Sequence, residues 1–148
     1  MSLIDEIDRQ IIKLLQINPR MSYSEIAREI GFSRNAIKYR IKVLQNEGLL
    51  LGFRTVLNPR KFGKKITAII SLKTDLPDIN IVKRGLLEMP ELLMVFHVSG
   101  NYPFVTIGLF DDHDELEKFL STSLSSIPIS EFDVKIIIDE LKDSDFNI

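Results

Sequence analysis

The chain has 148 residues, 45% of them hydrophobic and 27% charged, a globular balance with room for one ordinary domain or two small ones. It holds no cysteine, which excludes disulfides and thiolate metal sites, and no apolar run approaches the ~20 residues that span a bilayer. The formal charge of −2 hides a division: residues 1–65 carry 13 Lys and Arg against 6 Asp and Glu, and residues 66–148 carry 6 against 15.

Balances of +7 and −9 point to two modules, the basic one facing a polyanion. The first segment, MSLIDEIDRQ, carries acids where a secretory signal needs a basic stretch followed by an apolar one. The expectation is a cytoplasmic protein without a membrane partner.

Asp5 is placed to cap a first helix whose Ile7, Ile11, Leu14 and Leu15 share one face. Asn18-Pro19 ends it, because the residue before proline avoids helical geometry. Ser22 and Glu25 form a capping box for a short second helix that turns Ile26, Ala27 and Ile30 inward. Gly31 follows where a helix end favours a left-handed residue. Ser33 then caps a third helix, with Ala36, Ile37, Ile41 and Leu44 as its buried stripe and Gly48 as its stop. Three short helices, the second and third separated by so little, read as a helix-turn-helix.

The stretch FSRNAIKYRIK, residues 32–42, holds four cations and no acid. On the third helix Arg34, Asn35, Lys38 and Lys42 lie opposite the apolar stripe, with Tyr39 beside them and Arg40 nearer the boundary. Arg, Lys and Asn are the side chains whose donors match base edges in the major groove, so Arg34, Asn35 and Lys38 are candidate base contacts. Ser33 and the free N–H groups at this helix start suit a phosphate, and Tyr39, Arg40 and Lys42 are candidate backbone contacts. A merely solvated helix face ordinarily mixes signs for i,i+4 pairing, and this one does not.

Strand alternation begins after Gly48, with Leu49, Leu51, Phe53, Thr55 and Leu57 in register before Asn58-Pro59 turns the chain. It predicts a linker strand. Beyond it, strands are expected over 66–73, 92–99, 104–110 and 129–141. Helices are expected over 78–88, with Ile79, Val82, Leu86 and Met89 inward, and 112–123, with Leu116, Phe119, Leu120 and Leu124 inward. The order β-α-β-β-α-β is the ferredoxin-like arrangement, a four-stranded antiparallel sheet with both helices on one face. The fold class is therefore α+β. An N-terminal winged helix-turn-helix domain (1–50) is joined by a linker strand and hinge (51–65) to a ferredoxin-like domain for effector binding and oligomerisation (66–148).

Two of these strands are apolar on both faces: Leu93, Met94, Val95, Phe96 and Val98 in one, Phe104, Val105, Ile107, Leu109 and Phe110 in the other. At ~1.5–3 kcal/mol per large side chain, leaving half of them wet forfeits an energy comparable to a domain's whole stability. A like sheet from a second copy would cover them, which predicts a homodimer; the alternative cover is the chain's own linker or termini.

The segment from IDEIDRQIIKLLQINPRMSYSEIAREIGFSRNAIKYRIKVLQNEGLL through NPRKFG resembles the N-terminal pattern of the Lrp/AsnC (feast/famine) transcription regulators of prokaryotes. The resemblance rests on the Asp-Arg of the first helix, the Arg-Met-Ser turn, the Ser-initiated recognition helix, the Glu-Gly-Leu-Leu exit and the Asn-Pro linker. It implies a dimeric unit, often built up to octamers, that binds promoter DNA and responds to an amino acid or similar small molecule. The family often carries a Gly-Asp-Tyr-Asp-like turn in its effector region. Here the turn reads Gly100-Asn101-Tyr102-Pro103, without either acid, and Gly100, Asn101 and Tyr102 are the candidate effector edge.

No catalytic residue, cofactor or metal is assigned. The cluster Asp111-Asp112-His113-Asp114-Glu115 suits a helix start for dipole reasons alone, and no phosphate-binding GxxxxGK[ST] or GxGxxG fingerprint is present. Two other readings stand beside the regulator. One is an enzyme resembling the siroheme decarboxylases, which share this fold and place catalytic groups near the position of His97; they typically carry a His/Arg-rich stretch and an Asn-Leu-Trp segment, and this chain reads VFHVSGNYPFVTIGL without tryptophan. The other is a sequence-tolerant, chromatin-like DNA binder.

Overall fold

The structure is a computed structural model that describes residues 4–142. Among these, the chain divides into two compact units, 4–56 and 57–142.

In the first unit Asp5 caps α1 (Glu6–Ile17): its carboxylate accepts from Asp8 N–H at 2.8 Å, and the Asp8 side chain accepts in return from Asp5 N–H at 3.1 Å. Asn18 closes that helix. The capping box at Ser22 and Glu25 opens α2 (Tyr23–Ile30), and Gly31, at φ 79°, ends it in the left-handed region that glycine adopts without steric cost. Ser33 then caps α3 (Arg34–Asn46), its hydroxyl accepting from Ala36 N–H at 3.2 Å. Ile11, Leu15, Ile26, Ala27, Ile37 and Ile41 meet in one buried cluster, so each helix contributes the stripe its periodicity predicts.

No strand forms over residues 49–57, contrary to the predicted linker strand and wing. Leu49, Leu51, Phe53 and Leu57 fall on alternate positions as a strand would place them, yet all are exposed. Alternation records which side chains could share a face; a strand also needs a neighbour to exchange main-chain hydrogen bonds with, and these residues have none among those described.

The second unit begins with a 3₁₀ turn, Pro59–Phe62, and continues as β1 (Ile66–Lys73), α4 (Ile79–Leu87), β2 (Leu92–His97), β3 (Phe104–Phe110), α5 (His113–Lys118) and β4 (Glu131–Ile136). The strands form one sheet in the order β2-β3-β1-β4, with every pairing antiparallel. The two helices cover one face. Val82 and Leu86 from α4, with Leu116, Phe119 and Leu124 from the α5 region, pack on Ala68, Ile70, Leu72, Phe104 and Phe110. Phe110 also lies across Gly108, where an added Cβ would meet its ring at 2.7 Å.

Three boundaries differ from the sequence expectation. The last strand runs over 131–136 rather than 129–141: its pairing stops at one end with Glu131 opposite Lys73, the last residue of β1, and at the other with Ile136 opposite Ala68. Beyond that ladder Ile138 and Leu141 are about nine-tenths exposed. β2 stops at His97, and Leu93 forms a bulge where the register with β3 shifts. The last helix keeps α geometry only to Lys118, then widens into a π turn over Phe119–Ser123 and tightens into a 3₁₀ turn over Leu124–Ser126. Hydroxyls explain the change: Thr122 Oγ1 donates to Lys118 O at 2.6 Å, Ser125 Oγ to Ser121 O at 2.5 Å and Ser126 Oγ to Ser123 O at 2.6 Å, competing with the helical ladder.

Candidate nucleic-acid interface

Successive residues of an α-helix advance by about 100°. With Ile37, Ile41 and Leu44 buried, that rotation places Arg34, Lys38, Lys42 and Asn35 together on an outward arc, and all four are exposed. Tyr39 closes the arc, 71% exposed. Ser33 sits at the exposed N-terminal end, where the unpaired N–H groups of a helix start carry partial positive charge. The arc thus presents donors without an acid among them, the arrangement that both phosphate oxygens and guanine or adenine edges accept. Arg34 also borders a cleft of about 530 Å³ shared with Ser22 and Tyr23 at the start of α2, so the starts of both helices open onto the same side.

Arg40, the candidate backbone contact nearer the boundary, is turned away from this arc. It lies about 160° around the helix from Lys38, on the far flank of the buried stripe. There its Nη1 donates to Asp5 Oδ2 at 2.7 Å and to Asp8 Oδ1 at 2.8 Å. The backbone N–H of Asp8 and then the Arg40 guanidinium hold the Asp5 carboxyl below the usual carboxylate range, and Asp8 and Asp5 in turn raise the Arg40 guanidinium. The sequence signal was present but unread: two acids three residues apart in the first turn of α1, and a cation at the edge of the apolar stripe of α3.

The candidate effector edge lies in the second unit. Gly100, at φ 115°, and Asn101 form an exposed hairpin turn between β2 and β3, closed by Val98 N–H donating to Pro103 O at 2.8 Å. Tyr102 is half-buried, and its hydroxyl donates to Glu131 Oε1 at 2.5 Å, with Lys73 Nζ 3.4 Å from Glu131 Oε2. The turn lacks its own acid, but the start of β4 delivers one beside it. That carboxyl is lowered chiefly by the Tyr102 hydroxyl and then by Lys73, and the Tyr102 phenol is raised by Glu131.

On the sheet face away from the helices, the pairings align Met94 and Phe96 of β2 with Ile107 and Val105 of β3, and Ile107 in turn with Ile69 of β1. None of these side chains is fully buried. The same face becomes charged at β4, with Glu131, Asp133 and Lys135.

The acidic cluster at α5 has structural partners: Asp112 caps the helix by accepting from Glu115 N–H at 2.9 Å, and Lys64 lies 2.8 Å from Asp111 and 3.4 Å from Glu115. Among the described residues no group of three or more His, Asp or Glu is disposed to hold a metal ion. His97 is exposed and stacks on Phe104, with ring centroids 5.1 Å apart.

Comparison with known proteins matches residues 4–45 to the AsnC-type helix-turn-helix domain and residues 67–145 to the Lrp/AsnC ligand binding domain. An uncharacterized HTH-type transcriptional regulator of Pyrococcus abyssi is 34% identical over 124 residues, 84% of this chain and 78% of that one. An HTH-type transcriptional regulator of Methanocaldococcus jannaschii is 31% identical over 122 residues, 82% of each chain. In fold the chain is similar to AsnC of E. coli (TM-score 0.92, 22% identity, covering 99% of this chain and 100% of that one). It is also similar to a Neisseria meningitidis transcriptional regulator in complex with L-Met (TM-score 0.87, 20% identity, covering 95% and 94%).

Proposed function

Because the chain belongs to the Lrp/AsnC family of HTH-type transcription regulators, which join a DNA-binding helix-turn-helix to a ligand-binding domain, we propose that α3 is the helix that enters the major groove and that two copies act together. The observation that carries this reading is the exposed arc of Arg34, Asn35, Lys38 and Lys42, backed by a buried stripe and begun by the Ser33 cap. Arg34, Asn35 and Lys38 read base edges; Ser33, Tyr39 and Lys42 hold the phosphate backbone. Arg40 is not part of this set.

The two copies pair through the apolar sheet face. Twofold pairing of two recognition helices calls for a near-palindromic operator with half-sites ~10 bp or a multiple apart. The residue ranges 1–50, 51–65 and 66–148 serve as reading module, connection and assembly module. An amino acid or related small molecule modulates the assembly, at the edge formed by Gly100, Asn101 and Tyr102 with the carboxylate of Glu131. The L-Met complex of the Neisseria regulator supports this class of effector.

Selection of duplexes from a random-sequence pool by the full-length protein, with its mass measured in parallel, tests the reading. The expected result is an enriched palindromic site bound by an even number of subunits. Equal affinity for selected and scrambled duplexes at one fixed salt concentration would instead favour the chromatin-like binder. The curated relatives carry regulator names, and a new visible absorbance band on adding a tetrapyrrole would be needed to revive the decarboxylase reading.

A further inference from the structure

We propose that Arg40 is a positioning residue for DNA recognition: anchored to Asp5 and Asp8, it sets the roll of α3 and touches no DNA. The inference rests on α3 being the reading helix, but it concerns the opposite flank.

Apolar packing alone leaves a helix free to roll, because burial of Ile37, Ile41 and Leu44 is rewarded with little regard to direction. A charge-assisted hydrogen bond is directional. Arg40 makes two from a single nitrogen, at 2.7 and 2.8 Å, to acids that are themselves locked together by the reciprocal cap of α1. The Asp8 side chain is only 14% exposed and that of Arg40 27%, so water competes weakly at the inner bond. A small roll of α3 would swing Arg34 and Lys38 together, since both ride on the same backbone.

The test uses the full-length protein, a duplex selected by the wild type and a scrambled duplex of equal length, with affinity measured across salt concentrations. Asn caps a helix as well as Asp does, so the variant Asp5→Asn/Asp8→Asn removes the charges while keeping the start of α1. This variant and Arg40→Ala are each expected to lose roughly threefold to thirtyfold in affinity for the selected duplex, which lies within the range of coupling between paired residues. The slope of log affinity against log salt is expected to stay at the wild-type value. Combining all three substitutions should cost no more than Arg40→Ala alone. Lys42→Ala serves as the control and should flatten the slope by about one.

A flattened slope in Arg40→Ala, or tighter binding by the Asp→Asn variant, would make Arg40 a phosphate ligand and overturn the proposal. Unchanged affinity in both variants, or a loss that merely follows a lost folded fraction read by circular dichroism, would overturn it as well. A Lys42→Ala control that leaves the slope unchanged would instead remove α3 from the duplex, which is a failure of the functional reading and not of the clamp.

Discussion

Among the described residues the two units each leave one surface uncovered, and the chemistry of those surfaces is opposite. On α3 the unpartnered surface is charged and hydrated, so leaving it wet costs little and its partner must offer negative charge. On the sheet it is Met94, Phe96, Val105, Ile107 and Ile69, whose exposure is unfavourable in any state except one that covers them. The contrast separates two kinds of binding. The helical surface suits a reversible, salt-sensitive contact, and the sheet surface suits a contact made once and kept.

The largest expected effect strikes the sheet unit alone. Phe110 is fully buried, packs against Phe119 at 5.3 Å and covers Gly108. Phe110→Ala should cost about 3–5 kcal/mol, seen in denaturant unfolding as an early transition of the sheet unit while the helices of the other unit persist. A single transition that takes both units together would break the comparison. Next in size, Ile107→Glu places a charge in the middle of the apolar face without touching the core. Sedimentation should show the self-association weakened by ~100-fold or more, because an unpaired charge buried at an interface costs several kcal/mol, with the melting point of the monomer little altered.

Arg34→Ala should lower affinity for the selected duplex by about 1–3 kcal/mol and relax preference at one base-pair position. A uniform loss across all sequences would make Arg34 a backbone contact instead. The smallest effect is in pH. Asp5, Glu25 and Glu131 are all held below their ordinary values, Asp5 and Glu25 first by backbone N–H groups at helix starts and Glu131 first by the Tyr102 hydroxyl. A lowered acid contributes stability that is fully present above its unfolded pKa, about 4 for these groups. That stability is lost as pH falls through the still lower folded value. Acid titration followed by circular dichroism should therefore find the helical unit insensitive to pH from 7 to about 5 and weakening below 4. The weakening should be shallower in Asp5→Asn.

Local chemistry made the helical unit legible. Asp5, Ser22 and Ser33 are capping residues whose partners lie three positions away, and Gly31 takes the backbone shape that its lack of a side chain allows, so a short window contains the whole argument. The sheet order was legible through the alternation of helix and strand. What escaped was longer in range. The pairing of Arg40 joins residues more than thirty positions apart, and the carboxylate beside Tyr102 arrives from a strand 29 residues later. The stretch over 49–57 shows the converse error: its side chains follow a strand period, but hydrogen bonding to a neighbour is not encoded in the stretch itself.

The rims of the sheet carry their own lesson. One outer strand, β2, is kinked by the bulge at Leu93; the other, β4, is studded with Glu131, Asp133 and Lys135. Both features discourage a foreign strand from zipping on alongside. A sheet with guarded borders and an oily centre favours lying against its own likeness, and a twofold stack of this kind consumes both surfaces at once. Growth through the proposed contact would be self-limiting, so the molecule could be sticky without seeding fibres.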